Sequence, residues 1–139
     1  MKKTRWALLI VIGIFALDRY IQLPDGRARA LNRALEAKAS PSLRAYPYQF
    51  HVVETRGEVA LVSTPRNFEV PAFHAIGVMY PQLDVKDANN PAFIAAEQTL
   101  GAVQAEARAI VLAEPGVKGV EWVLDRDWLR AHYIEIPDK

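Results

Sequence analysis

The sequence predicts an α+β fold: a small open sheet of about four strands in two hairpins, packed by one long amphipathic helix, behind an N-terminal membrane-anchor helix. Three observations carry that expectation. An unbroken apolar run from Trp6 to Leu17 follows Lys2, Lys3 and Arg5. Residues 91–113 continue without a helix breaker and place apolar side chains at spacings of three and four. Four short segments rich in β-branched and aromatic residues fall in two pairs, one before and one after that helix. The 139 residues fit one domain of ordinary size plus a short extension.

The N-terminal run has the layout of a positively charged leader followed by an apolar segment. Its twelve residues make about 18 Å of helix, short of the roughly twenty residues that a bilayer crossing wants. Continuing to Leu23 adds Tyr20 and Ile21 but also Asp18 and Arg19, charges that fit a headgroup interface. An uncleaved signal anchor over residues 1–23 is the reading taken, with Trp6, Leu9, Ile12, Phe15 and Tyr20 facing lipid. A cleaved signal peptide and a buried core helix or non-spanning interfacial helix are its alternatives. Basic residues lie on both sides of the run. The order of charge then apolar segment points to a single-pass protein of the inner (cytoplasmic) membrane, with its domain in the periplasm or otherwise extracytoplasmic.

Residues 24–45 form a basic linker. Pro24-Asp25-Gly26 is a turn signal. Arg27 to Ala39 is composed of good helix formers and carries a narrow stripe of Leu31 and Leu35. That helix either docks on the domain through its leucines or lies on anionic headgroups through Arg27, Arg29 and Arg33. Ser40-Pro41 ends it.

The small α+β domain then spans 46–139. Tyr48 to Thr55 and Glu58 to Ser63 read as a hairpin around Arg56-Gly57. Residues 65–90 are an insertion whose middle, Ala72–Tyr80, is a short helix or an added strand. Asn90 can cap the long helix and Pro91 suits its first turn. Its apolar face comprises Phe93, Ala96, Leu100, Val103, Ala107 and Ile110, and Gly101 suggests a close backbone approach. Glu114-Pro115-Gly116 stops it. Val117 to Leu124 and Trp128 to Ile136 form the second hairpin around Asp125-Arg126-Asp127.

The stretch Arg56-Gly57-Glu58-Val59-Ala60-Leu61, followed by an Ala-rich helix and then Pro115-Gly116-Val117-Lys118-Gly119-Val120, resembles the BON domain. Ser63 stands where that family often has a second Gly, and the 65–90 insertion is longer than the family's connection. The resemblance implies the order helix, two strands, helix, strand over about residues 27–136. It also implies a non-catalytic module that associates with membranes, phospholipids or partner proteins.

The chain holds no Cys, which excludes disulfide scaffolds, thiolate zinc sites and cysteine nucleophiles. Neither a phosphate-binding glycine loop nor a nucleophile elbow is present. Residues 1–46 hold nine basic and three acidic residues, and the remainder eight and thirteen. An acidic domain argues against nucleic acid as a partner. His51, His74 and His132 are the groups able to shuttle protons near neutrality. If the first and last strands pair, His51 and His132 approach each other and a metal-dependent enzyme becomes conceivable, but no ligand spacing supports it. Ser63 and Ser40 have no base nearby in sequence. No enzyme activity, cofactor or metal is expected. The expectation is a membrane-anchored accessory subunit that binds another protein, with Phe68, Phe73, Met79, Tyr80 and Trp128 as candidate partner contacts. A BON-like phospholipid-surface module is the alternative.

Overall fold

Five helices and three strands follow one another in the computed structural model, which describes residues 26–137. The described part of α1 covers residues 26–38, so Gly26 is already helical and not part of a turn. Ala28, Leu31 and Leu35 lie on one face of α1 and are buried in the main core. Ser40 does more than end this helix. Its Oγ accepts the Leu43 N–H at 3.2 Å and Pro41 takes the first turn, which starts a second short helix, α2 (Pro41–Arg44).

An extended segment then leads into the hairpin of β1 (Val52–Arg56) and β2 (Val59–Thr64). The strands are antiparallel, with a register irregularity between Val52 and Glu54. Gly57 turns the chain with φ 59°, a conformation that side chains with a Cβ rarely adopt. The insertion contributes α3 (Ala72–Met79), which settles the choice between helix and strand. α4 (Pro91–Leu112) follows, with the Asn90 side chain accepting the Ala92 N–H at 2.9 Å. Phe93, Leu100, Val103, Ala107 and Val111 on α4 are buried. Each fully buried large apolar side chain contributes about 1.5–3 kcal/mol, so this face is the main hold of the helix on the core. Gly101 does not face a strand: the nearest group to a Cβ placed there is the Arg66 guanidinium, at 3.8 Å.

The expected four-stranded sheet of two hairpins is corrected. The sheet has three strands in the order β1-β2-β3, and it is mixed. β3 (Gly119–Leu124) lies parallel to β2, pairing Val59 with Gly119 through Thr64 with Leu124. A strand that returns after a helical crossover comes back parallel, and α3 with α4 is that crossover. The expected last strand, Trp128–Ile136, is instead α5 (Arg126–Ala131) followed by an irregular tail. The reason lies in Asp125: its carboxylate accepts the Trp128 N–H at 3.1 Å and caps a helix where a hairpin turn was expected.

The anchor expected over residues 1–23, with Trp6, Leu9, Ile12, Phe15 and Tyr20, lies outside the described residues. Among the described residues no helix is long and apolar enough to cross a membrane. α4 has the length, 22 residues, but carries Glu97, Gln98, Gln104, Glu106 and Arg108. The transmembrane and signal-anchor reading, and with it the single-pass inner-membrane and periplasmic placement, is corrected to that extent: no described helix supports it, and it is not carried forward.

The side chain of Arg27 ties α1 to the rest of the fold. It donates to the Gly57 carbonyl at 2.9 Å and to the Gly116 carbonyl at 2.7 Å. Gly116 has φ 81°, and a Cβ there would meet the Arg27 guanidinium at 2.8 Å. One guanidinium thus holds both the β1–β2 turn and the α4–β3 turn. Glu106 accepts the Ser40 N–H at 2.7 Å and also the Ser40 hydroxyl, which joins α4 to the start of α2.

Candidate functional site

The first candidate is an open apolar groove of about 800 Å³. One wall is α3 with Phe73, His74 and Val78; the other is the start of α4 with Phe93 and Glu97. Val85 and Lys86 of the connecting segment and His132, Tyr133 and Ile134 of the tail complete it. Phe73 is 40% exposed and Tyr133 is 95% exposed.

The tail geometry explains why Tyr133 stands out. After α5 the Ile134 N–H bonds to the Leu129 carbonyl at 2.9 Å, and the Tyr133 N–H to the Arg130 carbonyl at 3.0 Å. This pair of bonds is the Schellman helix ending, which needs a left-handed residue at the position of Tyr133. Tyr133 has φ 61°, the one non-glycine residue with positive φ among those described. The ending normally takes Gly, because a Cβ in that conformation costs about 1–2 kcal/mol. Ile134 then folds inward onto Leu129, Val70 and Leu124 in a second small core. The neighbouring Tyr133 is left projecting.

The histidines of the groove each lean on an aromatic ring. His74 stacks on Phe73 at 4.1 Å and His132 on Trp128 at 4.3 Å between ring centroids. The His132 Nδ1 lies 2.8 Å from the Trp128 carbonyl.

A second cluster gathers beside the C-terminal ends of β2 and β3. β-pairing brings Ser63 to His51, with Ser63 Oγ 3.0 Å from His51 Nδ1 and accepting the His51 backbone N–H at 3.0 Å. Tyr48 donates its hydroxyl proton to Asp125 at 2.7 Å. Burial foremost raises the Tyr48 pKa. A hydrogen bond from Ser63 opposes that rise, and Asp125 adds to it through its hydrogen bond and charge. Tyr48 is therefore a neutral donor at any ordinary pH. Ser63 is 1% exposed, and its hydroxyl bridges the backbone and ring of His51, so the pair acts as a strap between β2 and the residue that leads into β1.

The residues expected to be functional separate on this map. Phe73 lines the groove. Phe68 is 91% exposed on the β2–α3 loop, apart from the groove lining. Met79 and Tyr80 are half-buried and pack against the main core. Trp128 is half-buried, edge-on to Tyr48 at 5.2 Å. His51 and His132 do not meet: they line different clefts, because the strand that was to carry His132 is a helix. Among the described residues no group of three His, Cys, Asp or Glu comes together to hold a metal. Arg27 is engaged by two carbonyls, Arg29 makes an interaction of its own, and Arg33 is exposed on α1. Tyr133, Phe93 and Ile134 were not anticipated. The Asp125 cap signal, followed by one helical turn and a half, was the clue to Tyr133.

The chain matches no family model, no curated protein and no solved structure. The BON resemblance accordingly rests on the quoted motifs alone.

Proposed function

We propose that this domain is a non-catalytic protein-binding module. Its docking surface is the groove between α3, the start of α4 and the tail after α5. The single observation that carries this reading is Tyr133: a large aromatic side chain held almost fully in solvent by a strained backbone, beside a half-exposed Phe73. Strain of this kind persists only where the surroundings enforce it, and it gathers at functional sites. Tyr is also the residue type that anchors protein interfaces, with a wide apolar ring and a polar end.

The occupant that fits is a segment of another protein with an apolar ridge for Phe73, Val78 and Tyr133. Lys86 sits on the rim with no ion-pair partner among the described residues, so the segment should carry a carboxylate beside that ridge. Selection of short random peptides displayed on phage against the full chain tests the reading. Peptides with clustered apolar residues and an acidic neighbour are expected, and Phe73→Ser should weaken them by about tenfold or more. Selected peptides that bind Phe73→Ser and Tyr133→Gly as tightly as the unaltered chain would remove the groove from consideration.

A further inference from the structure

We infer that the outer edge of β3 is a strand-addition site for an extended segment of another protein, a surface separate from the groove. The two edges of this sheet are treated differently. On β1 the outward-facing backbone groups of Val52 are taken by one side chain of α1. The Asn32 amide donates to the Val52 carbonyl at 3.0 Å and accepts its N–H at 2.6 Å. The irregular register beside it further spoils that edge as a template.

β3 has no such guard. Its six residues pair with β2 in unbroken register and contain neither Pro nor Lys. Gly119 donates to the Glu58 carbonyl and Asp125 to the Thr64 carbonyl, so by alternation the odd-numbered residues face β2. Val120, Trp122 and Leu124 therefore turn their N–H and C=O groups outward, and these have no partner among the described residues. A regular edge of this kind is a ready template for another strand.

Charge favours a foreign strand over a second copy as the occupant. An antiparallel pairing of β3 with itself has three registers that join most of the outward groups. Centred on Glu121, it sets Glu121 against itself, and centred on Val123, it sets Glu121 against Asp125. Like charges directly opposite each other are unfavourable. Centred on Trp122, it sets Glu121 against Val123 and leaves the carboxylate without a countercharge. A foreign strand supplies that countercharge by placing a basic residue across from Glu121, which is exposed.

The test uses the full chain and the synthetic peptide Glu-Thr-Val-Thr-Val-Lys-Val-Thr, which meets that pattern in antiparallel alignment. Amide hydrogen exchange is followed by NMR. In the free chain the Val120, Trp122 and Leu124 amides should exchange quickly, while those of Glu121 and Val123 are protected. Added peptide should slow the outward set by about tenfold or more, and a version with Lys and Glu exchanged should do so less. Val120→Pro removes one outward N–H without touching the β2 ladder. It should abolish the effect while Glu121 and Val123 stay protected. Outward amides already protected in the free chain, or a dimer through β3 in sedimentation, would overturn the inference. So would equal or no slowing with the two peptides. Should Val120→Pro fail to fold, the free-chain exchange pattern and the peptide pair decide alone. Phe73→Ser and Tyr133→Gly should leave this binding unchanged.

Discussion

The flank of the molecule next to α1 and the flank next to α5 finish their surfaces differently. On the α1 side a cavity of about 460 Å³ lies between α1, α2 and the segment before β1, but the turns and the sheet edge are tied off. Arg27 holds two turns, Asn32 closes the β1 edge, and Glu106 joins α4 to Ser40. Lys38 and Glu114 add an ion pair at 2.7 Å, exposed and worth little by itself. On the α5 side an apolar groove stays open, a Tyr stands in solvent on a strained backbone, and a regular strand edge has no described partner. Both flanks come from the same short chain, so the contrast is not a matter of a core too small to cover itself. On the proposed reading, the open flank is the one left for another molecule.

The most severe way to break this contrast is to empty the small core that supports the open flank. Leu129 is fully buried against Val70 and Ile134. Leu129→Ala should cost about 2–5 kcal/mol in denaturant unfolding. Exchange of the tail amides should also rise more than that of α1. A loss spread evenly over both flanks would mean that the second cluster is not a separate support.

Opening the closed flank should cost less. Asn32→Ala leaves a partly buried N–H and C=O of Val52 without partners, a loss of about 1–3 kcal/mol. It also turns β1 into a second free edge, so concentration-dependent aggregation in light scattering is expected. An Asn32→Ala chain as stable and as monomeric as the original would show that β1 needs no guard.

The smallest change should be a gain. A Cβ at Gly101 meets nothing closer than the Arg66 guanidinium at 3.8 Å. Gly101→Ala is therefore expected to stabilise α4 by about 1 kcal/mol, read as a higher Tm with peptide binding unchanged at both surfaces.

The closed flank was far more legible in the sequence than the open one. α4 announces itself through Asn90, Pro91 and a long run of apolar spacing, and the first hairpin through Gly57. These signals are local, and the structure keeps them. The direction of β3 is not a local property. It follows from the helix that separates it from β2, and the strand pattern of Val120, Trp122 and Leu124 is the same for either direction. α5 was hidden because Asp125-Arg126-Asp127 suits a turn and a helix cap equally, and six residues give too little periodicity to decide. The groove depends on that misread segment. A strand over Tyr133 and Ile134 predicts no projecting ring, and the apolar character of Met79, Tyr80 and Trp128 does not reveal that the core half-covers them. The pairing of Ser63 with His51 needs the hairpin register, which joins residues twelve apart.

Tyr133 gives the most direct test of the groove as a docking surface, because there folding and binding should pull in opposite directions. Gly relieves the left-handed strain and removes the ring. Thermal unfolding and binding of a groove-selected peptide are measured on Tyr133→Gly and on the unaltered chain. A higher Tm together with weaker binding is the expected result. A lower Tm, or unchanged affinity, would contradict it.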